Sequence, residues 1–570
     1  MWRKVSRSRI NIKIKKCILI SAILLITLAC TFKGLVFSTG DQERINQGTN
    51  NPSTATASQV STFSPTTEDS ESLISKQTLW ISGAVPTRLS QIIQKSGVPL
   101  SNYADQATIQ LDAGKDLILP NEGETTWIYA LVVPFPAVLD GIRIKDLEQA
   151  WAGDVTGLLE GAPIWMDMTT LAAFSAKWGE PGSEAHINTA ESNQVLESAW
   201  RKQPSYAIIP FEDIEPRWKV LTIDEQSPLR KEFDPTIYPL KISFNLTGDG
   251  AKLIETILPK SNRDPEKMTV LVMTGVTALV RATADKMEEK GRTYPGEAIR
   301  DWLVNADITH ISNEIPFAQE CPYPDRNSAY LYFCSDPRNI ELLDYVGTDI
   351  VELTGNHFQD WGSEATKYTI GLYNERGWPY FGGGINAMDA RKSIKIEHNG
   401  NKIAFIGCNP SGPTYAWATD TEPGAAHCEM DWMAAEIGRL RVEGYNPITT
   451  FQYFEGYSVW PGPAQKADFR KMADAGAVIV SGSQAHLPMT MEFYDGSFIH
   501  YGLGNLFFDQ MDRPAVGTRR EFIDRHVFYD GKYINTELLT AMLEDYSRPR
   551  PMTSEERSLF LKDIFIASGW

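Results

Sequence analysis

Residues 354–362 read TGNHFQDWG and follow the apolar run DIVEL, so a Gly-Asn-His turn closes a strand and an acid stands three residues past the histidine. An amide oxygen at Asn356 suits a hard cation, and an imidazole at His357 suits proton transfer to a leaving group or contact with a phosphate-like transition state. Asp360, at the start of the next helix, is placed to orient that ring. The same letters also serve an ordinary strand ending, in which Gly355 and Asn356 turn the chain and His357 is a hydrogen-bonded loop residue. The elements around the turn decide between the two.

The chain has 570 residues, more than one hydrophobic core usually organises, so two folded domains are expected. Eight of its 54 basic residues lie in the first forty positions, which hold no acid; the remaining 46 face 72 acidic residues, leaving that part at −26. Such an acidic body repels nucleic acid, while clefts rich in carboxylate attract divalent cations. A nucleic-acid partner is excluded on this ground.

Residues 1–37 carry a basic block, then CILISAILLITLACTF, Lys33 and GLVF, the pattern of an uncleaved signal anchor with its basic end in the cytoplasm. Cleavage as an ordinary signal, or as a lipoprotein at Thr27-Leu28-Ala29-Cys30, is also open. Residues 38–76 are rich in Ser, Thr, Asn, Gln and Pro and read as a disordered linker holding the folded part off the membrane. Four cysteines, Cys321, Cys334, Cys408 and Cys428, lie in the exported part, where three disulfide pairings or reduced thiols are open. Cys321 with Cys334, across a Pro-rich loop, is the favoured pair, leaving Cys408 with Cys428.

Residues 77–262 alternate apolar runs with helical patterns: the strand WIYALVVPF, the helix IKDLEQAWAG, the strand PIWMD, helices around TLAAFSAKWG and SNQVLESAWRK, and the strand SYAIIPF. This alternation predicts a parallel or mixed α/β sheet. After the polar break KSNRDPEK the chain becomes richer in strands. Hairpins are predicted at the Asn-Gly of KSIKIEHNGNKIAFIG and the Asp-Gly of MEFYDGSFIHYG and VFYDGKYIN. A capping box from Thr553 to Glu556 opens a terminal helix.

Residues 129–154 and 205–224 resemble the type-two periplasmic substrate-binding fold, which makes 77–262 a binding-protein-like α/β domain or a structural module derived from one. Residues 268–570 resemble the CapA family of capsule and poly-gamma-glutamate synthesis proteins. The resemblance rests on ELTGNHFQDWG, GGGINAMDARKSIKI, the segment 450–496 and FIHYGLGNLFFDQ. It implies a four-layer α-β-β-α sandwich of the metallophosphoesterase type, with loops at strand ends gathering metal ligands.

Carried onto this chain, the resemblance implies Asn313, Glu314, Asn356 and His486 as metal ligands, with His357, Asp360 and Glu455 as catalytic groups. His500 and Asn505 sit in an aromatic-rich strand and turn that reads more readily as core than as a wall of the same cleft, and Trp361, Tyr453, Phe454, Tyr457 and Trp460 offer either stacking surfaces or ordinary packing beneath the loops. The pattern is also broken. TGVTALVR (274–281) lacks the family's aspartate, Gln452-Tyr453-Phe454 stands where His-Trp-Gly is usual, and Gly482-Ser483-Gln484-Ala485-His486 keeps one histidine of a cluster. With eight histidines in the chain a two-metal centre is poorly supplied, whereas one divalent cation in an oxygen shell is compatible. Two functions follow. One is a membrane-anchored protein outside the cytoplasm that handles an anionic or capsular polymer, beside cell-envelope synthesis proteins, by metal-assisted amide or ester chemistry. The other is a catalytically decayed protein of envelope binding or assembly.

Overall fold

A computed structural model of the chain describes residues 74–114, 123–159 and 161–570. The expected anchor over 1–37 and the linker up to residue 73 lie outside the described residues. Among the described residues no helix is long and apolar enough to cross a membrane.

The apolar runs of the first half become an eight-stranded mixed sheet. Its order is Leu79–Ile81, Ile109–Ala113, Lys241–Thr247, Glu124–Pro134, Tyr206–Pro210, Ile164–Met166 and Ile187–Thr189, with Trp218–Val220 on the other end of the long strand. Glu124–Pro134 is buried almost throughout because it lies inside the sheet with helices against it, which is why it reads as a continuous apolar run rather than an alternating one. The helices Ile144–Trp151, Met168–Trp178 and Val195–Arg201 form where helical patterning was expected.

From residue 268 two further sheets face one another. The nine-stranded sheet runs Tyr380–Phe381, Ile350–Glu352, Ile308–Asn313, Met268–Thr274, Arg520–Tyr529, Lys532–Glu544 and Arg548–Pro551, with Val276–Thr277 and Asn505–Phe507 joined beside Ile308–Asn313. The six-stranded sheet runs Ile394–His398, Asn401–Cys408, Asn446–Gln452, Ile479–Ser483, Ser497–His500 and Met491–Tyr494. Leu271, Ile308 and Ile350 of the first meet Phe405, Ile448 and Phe498 of the second in one core. Leu303, Leu343 and Tyr373 cover the outer face of one sheet, and Met433, Ile437 and Phe469 that of the other. Helices, sheet, sheet and helices thus form successive layers, each sheet burying both faces.

All three hairpins form at the expected dipeptides. Their first turn residues, Asn399, Asp495 and Asp530, have φ of +48°, +46° and +50°, the left-handed backbone that short polar side chains tolerate. Thr553 and Glu556 make the reciprocal capping box ahead of the helix Ser554–Ala567. Cys321 is joined to Cys334 and Cys408 to Cys428.

The first sheet does not end at its own core: Met268, Val270, Val527 and Tyr529 continue it. Ionic contacts bind the same seam. Arg557 donates to both oxygens of Asp140 at 2.8 and 2.9 Å, and Arg230 reaches Glu537 at 3.0 Å.

Candidate functional site

Parallel strands end on a common edge, so the residues that follow them are brought together however far apart they are in sequence. Here Ile308–Asn313 and Ile350–Glu352 run parallel in one sheet, and Asn446–Gln452 and Ile479–Ser483 in the other. Asn313 and Glu314, the turn 354–361, Gln452, and the loop from Gln484 to His486 therefore meet at one end of the sandwich.

Gln452 is the bridge. Its Nε2 donates to Glu314 Oε1 at 3.0 Å and to Asn356 Oδ1 at 3.2 Å, while its own Oε1 accepts from Ser483 at 2.6 Å. Asn313 turns its amide nitrogen to Tyr373 and the Ile315 carbonyl, at 2.7 and 2.8 Å, which leaves Oδ1 facing away from both. Asn313 Oδ1, Glu314 Oε2 and Thr277 Oγ1 are buried and have no hydrogen-bond partner. Thr277 pairs with Asn313 in register, and its carbonyl accepts from the Glu314 amide at 3.0 Å. Three orphaned oxygens on adjacent residues form an unusual concentration of unmet polar need.

Gly355 makes this proximity possible. A Cβ there would lie 2.4 Å from the Glu314 carbonyl oxygen and 2.6 Å from its Cα, so only glycine lets the turn approach so closely.

His357 Nδ1 bonds Asp360 Oδ2 at 2.6 Å. The Asp360 side chain is wholly buried and also accepts from the Phe333 amide at 2.8 Å and the Tyr415 hydroxyl at 3.0 Å. Burial alone would lower the pKa of His357. The Asp360 hydrogen bond and the charges of Glu314, Asp360 and Glu455 outweigh burial and raise it above the ordinary histidine value. The ring packs on Phe333 with centroids 4.5 Å apart. Asp360 precedes the helix Gly362–Arg376 by two residues rather than lying at its start, because the turn continues to Trp361.

The other expected residues are less closely gathered. Glu455 is exposed on the loop after Gln452 and accepts from the Tyr457 hydroxyl, so it stands apart from the buried oxygens. His486 Nδ1 bonds Asn505 Oδ1 at 2.9 Å, and its ring faces Phe508 at 5.2 Å. His500 is wholly buried between the sheets and bonds Asp524 at 2.6 Å. Its position at the end of an inward-facing strand assigns it to the sandwich core, not to the cleft. Tyr453 is likewise core, with its hydroxyl on Asp468 at 2.8 Å, whereas Phe454, Tyr457, Trp460 and Trp361 are exposed.

Gln452, Thr277, Ser483 and Tyr415 were not foreseen as site residues, and neither was Arg281. Arg281 sits over Phe333 and Phe508 at 5.1 and 5.0 Å and is clamped by Asp509 at 3.1 and 2.5 Å. It brings a fixed positive charge to the segment that lacks the expected aspartate.

Residues 270–510 match the family model described as bacterial capsule synthesis protein PGA_cap. That stretch is similar to the CapA family. The capsule biosynthesis protein CapA of Bacillus anthracis is 25% identical over 282 residues, covering 48% of this chain and 68% of that protein. The PGA biosynthesis protein CapA of Bacillus subtilis (strain 168) is 27% identical over 278 residues, 48% of this chain and 71% of that protein. Among solved structures, the 5'-nucleotidase precursor from Thermus thermophilus overlaps 53% of this chain and 58% of its own at 14% identity and a TM-score of 0.30. A likeness that distant assigns no chemistry.

The donor set answers what metal a CapA-type cleft of this composition accommodates. Among the described residues no three of His, Cys, Asp and Glu stand where they share a metal. A two-cation centre with bridging carboxylate does not fit these residues. Asn313 Oδ1, Glu314 Oε2 and Thr277 Oγ1, which have no partner, and Asn356 Oδ1, which accepts from Gln452, are oxygens of the kind a single hard cation takes.

Proposed function

We propose that this chain is an extracytoplasmic, envelope-associated CapA-type protein of capsule or poly-gamma-glutamate synthesis, acting on the polymer by amide or ester chemistry. It works beside the polymer-synthesis machinery, tethered by its N-terminal anchor. The observation that carries the reading is His357, held through Nδ1 by a buried Asp360 within a setting that favours its protonated form. The binding-protein-like first domain and the metallophosphoesterase type of the second belong to the same proposal.

The chain's own groups divide the work. Asp360 fixes the ring so that Nδ1 keeps its proton and Nε2 is left for the leaving group, to which the imidazolium gives a proton as the bond breaks. Asn313, Glu314, Asn356 and Thr277 would hold one divalent cation, which when bound polarises a carbonyl or phosphoryl oxygen. His486 is turned by Asn505 and offers a further imidazole at this edge. Glu455 and Tyr457 stand at the exposed mouth, where Phe454 and Trp460 offer flat surfaces to a polymer.

A second reading, envelope binding or assembly without turnover, draws on Gln452. Its amide nitrogen already joins Glu314 Oε1 to Asn356 Oδ1, a link that occupies one of the oxygens a cation would take and ties its neighbour to the same group. Replacing the cellular copy by His357→Ala and weighing surface-bound polymer separates the two. Loss of polymer with normal protein level supports the chemical reading. Unchanged polymer, with loss only on deletion of the whole chain, overturns it in favour of assembly.

A further inference from the structure

Far from the CapA-type cleft, a second cavity of about 870 Å³ opens between the first sheet and the hairpin of Arg520–Tyr529 with Lys532–Glu544. Its floor is set by topology. Ile164–Met166, Ile187–Thr189 and Tyr206–Pro210 run parallel and stop at one edge, where Asp167, Glu191, Ser192, Glu212 and Asp213 follow them. Such a crevice beyond the carboxyl ends of parallel strands is where α/β sheets bind ligands. Thr170, wholly buried, lines the same floor, and its hydroxyl has no partner.

We propose that this cavity binds an alkylammonium ligand, a primary amine carried on a flexible apolar chain.

The charge on the walls selects a cation. Asp167, Glu212 and Asp213 crowd one another, whereas Arg217 meets Glu197 at 2.5 Å and Arg88 lies 3.8 Å from Asp530, which Lys267 also approaches at 3.2 Å. An anion is disfavoured at the N-terminus of the helix Met168–Trp178. There Asp167 already caps the helix Met168–Trp178, accepting from the Thr170 amide at 2.7 Å. A bare divalent ion also fails, since among the described residues no three acids or histidines stand where they share one. An organic cation instead gains from Phe211, Trp218, Tyr529 and Tyr533 on the walls, together with the Thr170 hydroxyl as acceptor for one ammonium proton.

Glu212 adds a pH signature. Burial, with the charge of Asp213, pushes its carboxyl up to about 7 against the hydrogen bond from Asn262. The groups facing it are Trp127 and Asn262, which donate to it, Asp213 and Asp167 on the floor, Arg88, and Asp530 and Lys532 on the opposite hairpin. A cation in the cavity favours the ionised form, so binding strengthens as pH rises through 7.

Calorimetric titration of the full chain with 1,4-diaminobutane at physiological salt tests the proposal. The expected result is saturable one-site binding that tightens from pH 6 to pH 8 and weakens about tenfold or more in Asp213→Asn and in Thr170→Val. Asp213 is exposed and keeps its Ser192 contact as the amide, so that variant tests the cavity without disturbing the fold. No heat at millimolar diamine, equal affinity in both variants, or displacement of the diamine by magnesium or inorganic phosphate would overturn it.

Discussion

His357 and Asp360 are three residues apart, yet what makes them a pair is the burial of Asp360 and its two further donors. Asp360→Asn keeps those contacts sterically but removes the charge that holds the proton on His357. The expected outcome is a His357 pKa that falls toward the ordinary ~6.5, read by NMR titration, with turnover reduced about 100-fold. The linkage has a definite sign. The folded pKa of His357 lies above the unfolded one, so the stability contributed by the pair is complete below ~6.5 and is lost as pH rises through the raised value. Denaturant titrations at pH 5 and pH 9 should therefore show a larger loss on raising the pH in the parent than in Asp360→Asn. The asparagine, histidine and acid of this turn were legible in the sequence because they are neighbours along it. Gln452 and Thr277 were not, because Gln452 acts on a residue 138 positions away and only the convergence of two sheets sets it there.

At the scale of elements, the turn 354–361 and the loop 321–334 position each other. Phe333, one residue before Cys334, donates its amide to Asp360 and supports the His357 ring. Opening the Cys321–Cys334 bridge in a Cys321→Ser/Cys334→Ser variant frees a loop whose ends are separated by 13 residues, at a cost of about 3 kcal/mol. A lower denaturation midpoint is expected together with a His357 pKa shifted toward normal; a changed midpoint with an unmoved pKa would separate the loop from the site. Gly355→Ala is the sharper probe of the same junction. Its methyl meets the Glu314 backbone, and the forced retreat should cost about 1–3 kcal/mol and disable the site, as read by thermal melting and turnover. The three hairpins were readable because their turn chemistry is local, whereas the sequence left His500 open between cleft and core, with core favoured, and the structure places it in the core. A histidine that ends a strand looks the same in sequence whether it faces a cleft or the space between two sheets.

For the whole molecule, the seam between the first sheet and the double-sheet region rests on a shared apolar core and a few ion pairs. Burial raises the Asp140 pKa, but the hydrogen bond and charge of Arg557, with Lys219, hold it well below the ordinary carboxylate range. Asp140 is half exposed, so the pair is screened and worth about 1 kcal/mol at most. That stability is present above the unfolded value of ~3.9 and disappears as pH falls through the folded one. Asp140→Asn should thus be slightly less stable at pH 7 and converge with the parent in strong acid, measured by denaturant melts. The alternation of strand and helix revealed the α/β character of the first sheet. The continuity of its core into Val270 and Val527 was hidden, because nothing in a strand's own pattern names the sheet that covers it.

The reading of a single-cation CapA-type cleft is tested most directly by metal stoichiometry. The purified chain, reloaded with magnesium, calcium or manganese and freed of excess, should retain about one equivalent, and Glu314→Gln should lose it while melting as one folded unit. Retention of none, or of two equivalents held equally by Glu314→Gln, would contradict the account.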